Sequence, residues 1–127
     1  MPIFYNDYRI LWKNDKSDAV YNVLKYQLDN GHPLDGIGFQ SHLKLDFISS
    51  GSAALVKENL KRFAMLGLTI HITELDVGCN FMSRYKVNGC EIPWSTGGDG
   101  VQLATQASIY ESVLRSCLEV PACKVFE

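Results

Sequence analysis

Apolar and polar positions switch repeatedly along this chain between the two periods that mark strands and helices. Ile3-Phe4-Tyr5 is a short apolar run closed by the turn residues Asn6-Asp7, which predicts a strand. From Ser17 onward, Val20, Val23, Leu24 and Leu28 recur at helical spacing, with Asn30-Gly31 and then Pro33 as the stop. Gly36-Ile37-Gly38-Phe39-Gln40-Ser41 predicts a second strand, and its two glycines imply that another backbone or side chain packs close. A loop over Ser49 to Ser52 leads into a helix striped by Leu55, Val56, Leu60, Phe63 and Ala64, and Gly67 ends it. Leu68 to Glu74 predicts a third strand, with the β-branched core Ile70-His71-Ile72-Thr73. A long segment from Gly78 to Gly100 follows, longer than an ordinary connection and so expected to be functional or stapled. The last helix carries Val101, Ala104, Ala107, Val113, Leu114 and Leu118, Pro121 breaks it, and Lys124-Val125-Phe126 opens a fourth strand.

Strand and helix alternate three times and a strand then begins again. That order implies an α/β fold of parallel βα units. Two architectures fit it: an open doubly wound sheet, or part of a (β/α)8 barrel. No Gly-x-Gly-x-x-Gly follows the first strand, so nothing favours a dinucleotide fold.

Composition removes several classes of partner. The chain has 127 residues, enough for one domain, with 12 Lys and Arg against 14 Asp and Glu. The charges are interspersed, so there is no basic face for nucleic acid. No apolar run reaches the roughly 18 residues that span a bilayer, and no membrane partner is expected. Met1-Pro2 leads straight into the first strand, which reads as a start without a signal peptide. Four cysteines, Cys79, Cys90, Cys117 and Cys123, include no Cys-x-x-Cys, so a structural zinc site is not expected. They allow three pairings. The short loops make the local one simplest, and it would suit an oxidising compartment.

Candidate chemistry gathers where parallel α/β proteins keep it, at the C-terminal ends of the strands. Those ends carry Asn6 and Asp7, then Gln40 and His42, then Glu74 and Asp76. Side chains alternate with period two. Gln40 and His42 therefore share one face, and so do Glu74 and Asp76 if the strand stays extended that far. If both pairs face inward, a histidine lies between two carboxylates. Tyr5, Tyr8, Trp12 and Trp94 could stack on sugar faces or simply pack. His71 reads as a core histidine and His32 as a loop residue. Lys57, Glu58, Lys61 and Arg62 read as a solvated helix face.

Several of these segments, taken in order, resemble glycoside hydrolase family 10, the retaining β-1,4-xylanases. Phe4-Tyr5-Asn6-Asp7-Tyr8 is similar to the family's fifth strand, and Lys16-Ser17-Asp18-Ala19-Val20-Tyr21 to the start of the helix after it. Gly36-Ile37-Gly38-Phe39-Gln40-Ser41-His42-Leu43 resembles the sixth strand and Glu58-Asn59-Leu60-Lys61-Arg62-Phe63-Ala64 the helix that follows. Ile72-Thr73-Glu74-Leu75-Asp76-Val77 resembles the seventh strand and its nucleophile motif. Cys117-Leu118-Glu119-Val120-Pro121-Ala122-Cys123 resembles the stretch where many members carry a disulfide before strand eight.

The resemblance implies that residues 1–127 are a partial catalytic domain, about half of a (β/α)8 barrel running from strand five to the start of strand eight. It implies Glu74 as nucleophile, His42 and Asp76 as the pair that orients it, and Gln40, Asn6 and Tyr8 as substrate contacts. It implies disulfides Cys117–Cys123 and, in the long loop, Cys79–Cys90. Xylan or a xylo-oligosaccharide is the implied substrate, with no metal or cofactor, and the parent protein is expected to be secreted. The family's acid/base glutamate, at the end of strand four, has no counterpart in these residues. Half a barrel would also leave two open strand edges and an apolar inner face. A homo-oligomer or a separate N-terminal half-barrel would cover them. The alternative is a truncated, non-catalytic relative: a weak carbohydrate binder or a folding unit that needs a partner.

Overall fold

The computed structural model describes residues 1–78 and 100–127. Four strands and three helices alternate: β1 (Phe4–Tyr8), α1 (Asp15–Asp29), β2 (Gly36–Lys44), α2 (Val56–Ala64), β3 (Thr69–Gly78), α3 (Gly100–Leu118) and β4 (Cys123–Phe126). A 3-10 turn, Ser52–Leu55, runs into α2. The strands form one sheet in the order β1-β2-β3-β4, and every pair is parallel. β1 and β4 are thus its open edges. Three strands outrun their expected ends. β1 continues through Asn6, Asp7 and Tyr8, β2 passes Ser41 to reach Lys44, and β3 passes Glu74 to reach Gly78.

One face of the sheet carries the core. Ile37, Phe39 and Leu43 of β2 and Ile70, Ile72 and Val77 of β3 are buried. Packed with them are Val20 and Leu24 of α1, Val56, Leu60 and Phe63 of α2, and Ile109, Val113 and Cys117 of α3. The opposite, inner face is not the apolar surface expected. Strand alternation and register put Phe4, Asn6 and Tyr8 there, with Gln40, His42, His71 and Thr73. The large aliphatic side chains have gone to the helix layer, and the inner face keeps mostly hydrogen-bonding groups.

Gly36 and Gly38 allow side chains of the flanking strands β1 and β3 to meet over β2, in keeping with the close packing the two glycines implied. A Cβ on Gly36 would run into the Phe4 ring, and one on Gly38 would lie 2.5 Å from Asn6 Oδ1. The vacated space lets Phe4 stack on His71, with centroids 4.4 Å apart, and lets Thr73 Oγ1 donate to Asn6 Oδ1 at 3.1 Å.

The helices differ from expectation in detail. α1 opens at Asp15, not Ser17, because Asn14 is its N-cap. The Asn14 side chain accepts from the Ser17 N–H while Ser17 Oγ accepts from the Asn14 N–H, a reciprocal capping box. Arg62 is no solvated residue. Its guanidinium binds Asp18, donates to Ser17 Oγ at 2.9 Å and to Asn59 Oδ1 at 2.9 Å, and lies over the Tyr21 and Phe63 rings. α3 buries Gln102, Ile109, Val113 and Cys117, while Val101, Leu114 and Leu118 are exposed.

Cys117 and Cys123 form a disulfide, with Cα atoms 5.4 Å apart and a sequence separation of 6. It ties the end of α3 to the first residue of β4. The pair expected between Cys79 and Cys90 lies outside the described residues, as does Trp94. Closing so short a loop stabilises by about 2 kcal/mol on the chain-entropy account. Replacing both Cys117 and Cys123 by Ser should lower the stability measured by urea unfolding by about that amount. A loss under about 0.5 kcal/mol would show that the link constrains little.

Candidate functional site

The expected histidine cluster is present, but regular strand alternation does not make it. Gln40 pairs with Thr73 and His42 with Asp76, so one residue of β2, Ser41, faces two of β3, Glu74 and Leu75. This is a β-bulge. Glu74 sits in it with φ 57°, the left-handed region, at a cost of about 1–2 kcal/mol for a residue with a Cβ. In a strand extended throughout, Glu74 and Asp76 would have followed Ile70 and Ile72 into the helix layer. The extra residue flips the phase and returns both carboxylates to the inner face.

Backbone contacts from two elements hold the bulge. The Leu75 N–H donates to the Glu127 carbonyl at 2.8 Å, and the Glu127 N–H donates to that of Ile72 at 2.9 Å. From α3, Gln106 Nε2 donates to the Val77 carbonyl at 3.1 Å, and Tyr110 Oη donates to that of Leu75 at 3.5 Å. Neither Gln106 nor Tyr110 was singled out from the sequence. Their spacing of four on one helix face was the available sign.

His42 bridges the two acids. Nδ1 is 3.0 Å from Asp76 Oδ2 and Nε2 is 3.3 Å from Glu74 Oε2. A neutral ring donates from one nitrogen only, while the doubly protonated ring donates from both. The His42 side chain is 24% exposed, against 49% for Glu74 and 61% for Asp76. The ring is therefore fixed while Glu74 remains open to a molecule arriving from solvent. Gln40, half-buried, and Asn6 and Tyr8, both exposed, share this face. Five of the six residues singled out at the strand ends, Asn6, Gln40, His42, Glu74 and Asp76, thus lie with Tyr8 on one face, at or near its C-terminal end; Asp7 does not.

Asp7 points the other way and has a different character. Its carboxylate accepts from Tyr5 Oη at 2.8 Å, from the Tyr8 N–H at 2.8 Å and from Lys16 Nζ at 2.8 Å. Burial pushes its pKa up, but these donors together outweigh burial and hold it below the ordinary carboxylate value. Lys16 Nζ also lies 3.6 Å from the centre of the Tyr8 ring, a cation–π contact that steadies it. Tyr5 is the counterpart. Burial first, and then its bond to Asp7, raise its pKa from 10.0 to about 12. A raised folded value means that the stability linked to the neutral phenol is complete below pH 10 and is lost as the pH climbs toward 12. Ultraviolet titration should find a late-ionising step that Tyr5→Phe removes. A variant that kept the late step would reassign it.

Beside His42 opens a cavity of about 450 Å³, lined by Tyr8, Arg9, Trp12, His42, Lys44 and Asp46 among others. Trp12 is set edge-on against Phe47, with centroids 5.5 Å apart.

The profile of glycosyl hydrolase family 10 matches residues 1–127. The chain is 39% identical over 126 residues to endo-1,4-beta-xylanase B of Thermotoga neapolitana, covering 98% of this chain and 31% of that one. It is 35% identical over 121 residues to endo-1,4-beta-xylanase 5 of Pyricularia oryzae, covering 95% of this chain and 26% of the relative. Among solved structures, native xylanase 10B of Thermotoga maritima superposes with a TM-score of 0.75 at 36% identity, over 96% of this chain and 32% of that one. Xylanase 10B of Thermotoga petrophila RKU-1 in complex with xylobiose gives 0.77 at 36% identity, with the same coverage of 96% and 32%. The chain therefore spans roughly a quarter to a third of the length of the relatives it matches, and its parallel sheet is part of their (β/α)8 barrel. Matched along its whole length, with a four-stranded share of that barrel, the chain belongs to glycosyl hydrolase family 10.

Proposed function

We propose that this chain carries the nucleophile side of a retaining endo-1,4-β-xylanase site. The observation that carries the reading is His42 held between Glu74 and Asp76 at the ends of adjacent parallel strands. Asp76 orients His42 through Nδ1, and Nε2 aims Glu74, which stays exposed. Glu74 attacks the anomeric carbon of a xylose unit, the bond to the leaving sugar oxygen breaks, and a glycosyl-enzyme forms. A second carboxyl, roughly 5–5.5 Å from the first, protonates that oxygen and later activates water. By the family resemblance it is a glutamate ending a strand outside these residues. Gln40, Asn6 and Tyr8 line the approach of a xylan or xylo-oligosaccharide chain. The xylanase names of the relatives and the xylobiose bound in one structural neighbour support that substrate class.

The open edges at β1 and β4 are where further strands, from an N-terminal half-barrel or from a second copy, would pair. The Cys117–Cys123 link supports an oxidising, extracellular setting. One observation favours a second reading, carbohydrate binding without catalysis: the cavity at Tyr8 and Trp12 needs no acid to hold a sugar.

A covalent trap separates the two. A 2-fluoro xyloside with a good leaving group forms the glycosyl-enzyme without acid assistance and hydrolyses slowly. Peptide mapping should place the added mass on Glu74, and Glu74→Gln should abolish it. Labelling at any other residue would sink the nucleophile assignment.

A further inference from the structure

Glu74 depends on its main chain for its aim. Among the described residues its carboxylate is bonded by His42, and that contact, at 3.3 Å, is longer than the 3.0 Å from His42 to Asp76. One long bond to an exposed side chain holds it weakly. The left-handed φ of 57° does the rest of the placing, and it is strained for a residue with a Cβ. That strain must be offset, because an extended Glu74 would turn toward the helix layer.

Two side chains of α3 stand where they can offset it. Gln106 and Tyr110, one turn apart, donate to the carbonyls of Val77 and Leu75, just past the bulge. Helix packing fixes their reach. Ile109 and Val113 of α3 are fully buried, and Cys117 is linked to Cys123, whose strand leads into the Glu127 contacts. A neutral hydrogen bond contributes a net free energy of the same order as the strain in one left-handed residue. Two such bonds are enough to decide which conformation Glu74 keeps. We propose that Gln106 and Tyr110 are positioning residues for the nucleophile. Neither touches substrate; both act through the main chain of β3, keeping Glu74 in the conformation from which it attacks. The inference rests on the nucleophile reading for its chemistry, but the hold on the Glu74 backbone stands on these bonds alone.

The test reads backbone and chemistry separately, in the full chain. Gln106→Met combined with Tyr110→Phe removes both donors and keeps most of the packed bulk. Val113→Ala, in the core of α3, loosens the helix without touching the bulge and serves as control. The positive φ of Glu74 brings its own amide and Cα hydrogens close, so NMR should show a strong cross-relaxation peak between them. In the double variant that peak should weaken and the His42 ring nitrogen signals should shift. In Val113→Ala neither should change. The second readout is labelling by a 2-fluoro xyloside with a dinitrophenyl leaving group. A Glu74 carboxylate oxygen bonds to the anomeric carbon, and dinitrophenolate departs with the bonding pair. At saturating reagent the double variant should label about tenfold more slowly. Its half-saturating concentration should stay within about twofold of the unsubstituted chain, because binding is untouched. Val113→Ala should label at the unsubstituted rate. Dispersed amide signals would show that each variant folds. Should the double variant not fold, Gln106→Met alone carries the test, with labelling slowed about threefold.

A weakened Glu74 peak in the double variant, in a chain whose Glu74 the xyloside never labels, would uphold the hold on the bulge and count against the nucleophile reading. An unchanged peak in the double variant, an equal loss in Val113→Ala, or labelling of Glu74 at an unchanged rate in the double variant would each overturn the proposal.

Discussion

A polypeptide of these 127 residues is expected to leave unmodified xylan essentially intact. It should turn over an activated aryl xyloside only slowly, and azide should accelerate that turnover in a manner that depends on Glu74. The reasoning separates the two steps of the proposed reaction. A sugar alkoxide is a poor leaving group, and positioned acid–base assistance is worth about 10²–10⁴-fold. An aryl oxide leaves without a proton, so the first step survives the lack of an acid. The second step then stalls, because no base activates water. Azide needs no deprotonation and can displace Glu74 from the glycosyl-enzyme.

The one acid that might have stood in from β1, Asp7, is unsuited. It points away from the inner face, and its bonds to Lys16, Tyr5 and the Tyr8 N–H hold it ionised. Reducing-sugar release from xylan and nitrophenol release with and without azide measure the two arms, each repeated with Glu74→Ala. Robust xylan hydrolysis by this polypeptide would mean that another carboxyl serves as acid, and the account above would fail. Azide rescue that persisted in Glu74→Ala would remove Glu74 from the nucleophile role.

Much of the architecture was legible because it rests on periodicity. Ile37 and Phe39 alternate with Gly36, Gly38 and Gln40, and from Phe39 to Lys44 buried and half-buried residues alternate strictly. The two glycines also announced the close approach that Phe4 and Asn6 make over β2. Helix boundaries and faces were less legible, for physical reasons. Asn14 caps α1 through a side-chain bond that no hydrophobic period records. In α3 the apolar residues run round much of the helix, so the sequence offered several stripes. Packing on the sheet selected the one through Ile109, Val113 and Cys117.

The site was legible in its members and illegible in its geometry. Strand-end position was enough to group His42, Glu74 and Asp76. Their faces depended on whether β3 remained extended, and Thr73-Glu74-Leu75-Asp76 contains no glycine or proline to mark a break. The left-handed turn at Glu74 is imposed from outside, by bonds from Glu127, Gln106 and Tyr110 to neighbouring backbone groups. Such contacts, 29 and 35 residues apart for the two α3 side chains, leave no local trace. Arg62 was misread for a related reason. A charged residue on a helix looks solvated until the packing of α1 brings Ser17 and Asp18 to it.

Asn59→Ala is expected to cost about 3 kcal/mol, a large part of a typical domain's 5–15 kcal/mol. Asn59 is fully buried on α2, and its Nδ2 donates to the carbonyls of Ile10 at 2.7 Å and Leu11 at 3.0 Å. Its Oδ1 accepts from Arg62 Nε. One amide therefore satisfies two buried carbonyls of the β1–α1 loop and steadies the cation that binds α1. Removing it strands both carbonyls, at about 1–3 kcal/mol each, less whatever water or backbone relaxation recovers.

A second variant tests the mechanism apart from the volume. Asn59→Asp keeps the shape, but an ionised carboxylate only accepts, so oxygen would face oxygen at both carbonyls. The gain in charge pairing with Arg62 offsets part of this. The expected loss is still about 2 kcal/mol or more at neutral pH, and smaller in acid, where the protonated group can donate once. Urea unfolding of the three proteins measures all of this. The same loop carries Arg9 and Trp12, so the NMR signal of the Trp12 indole should broaden or shift in both variants. A cost below about 1 kcal/mol for Asn59→Ala, with an unchanged Trp12 signal, would show that the loop is held by Ile10 and Leu11 packing alone.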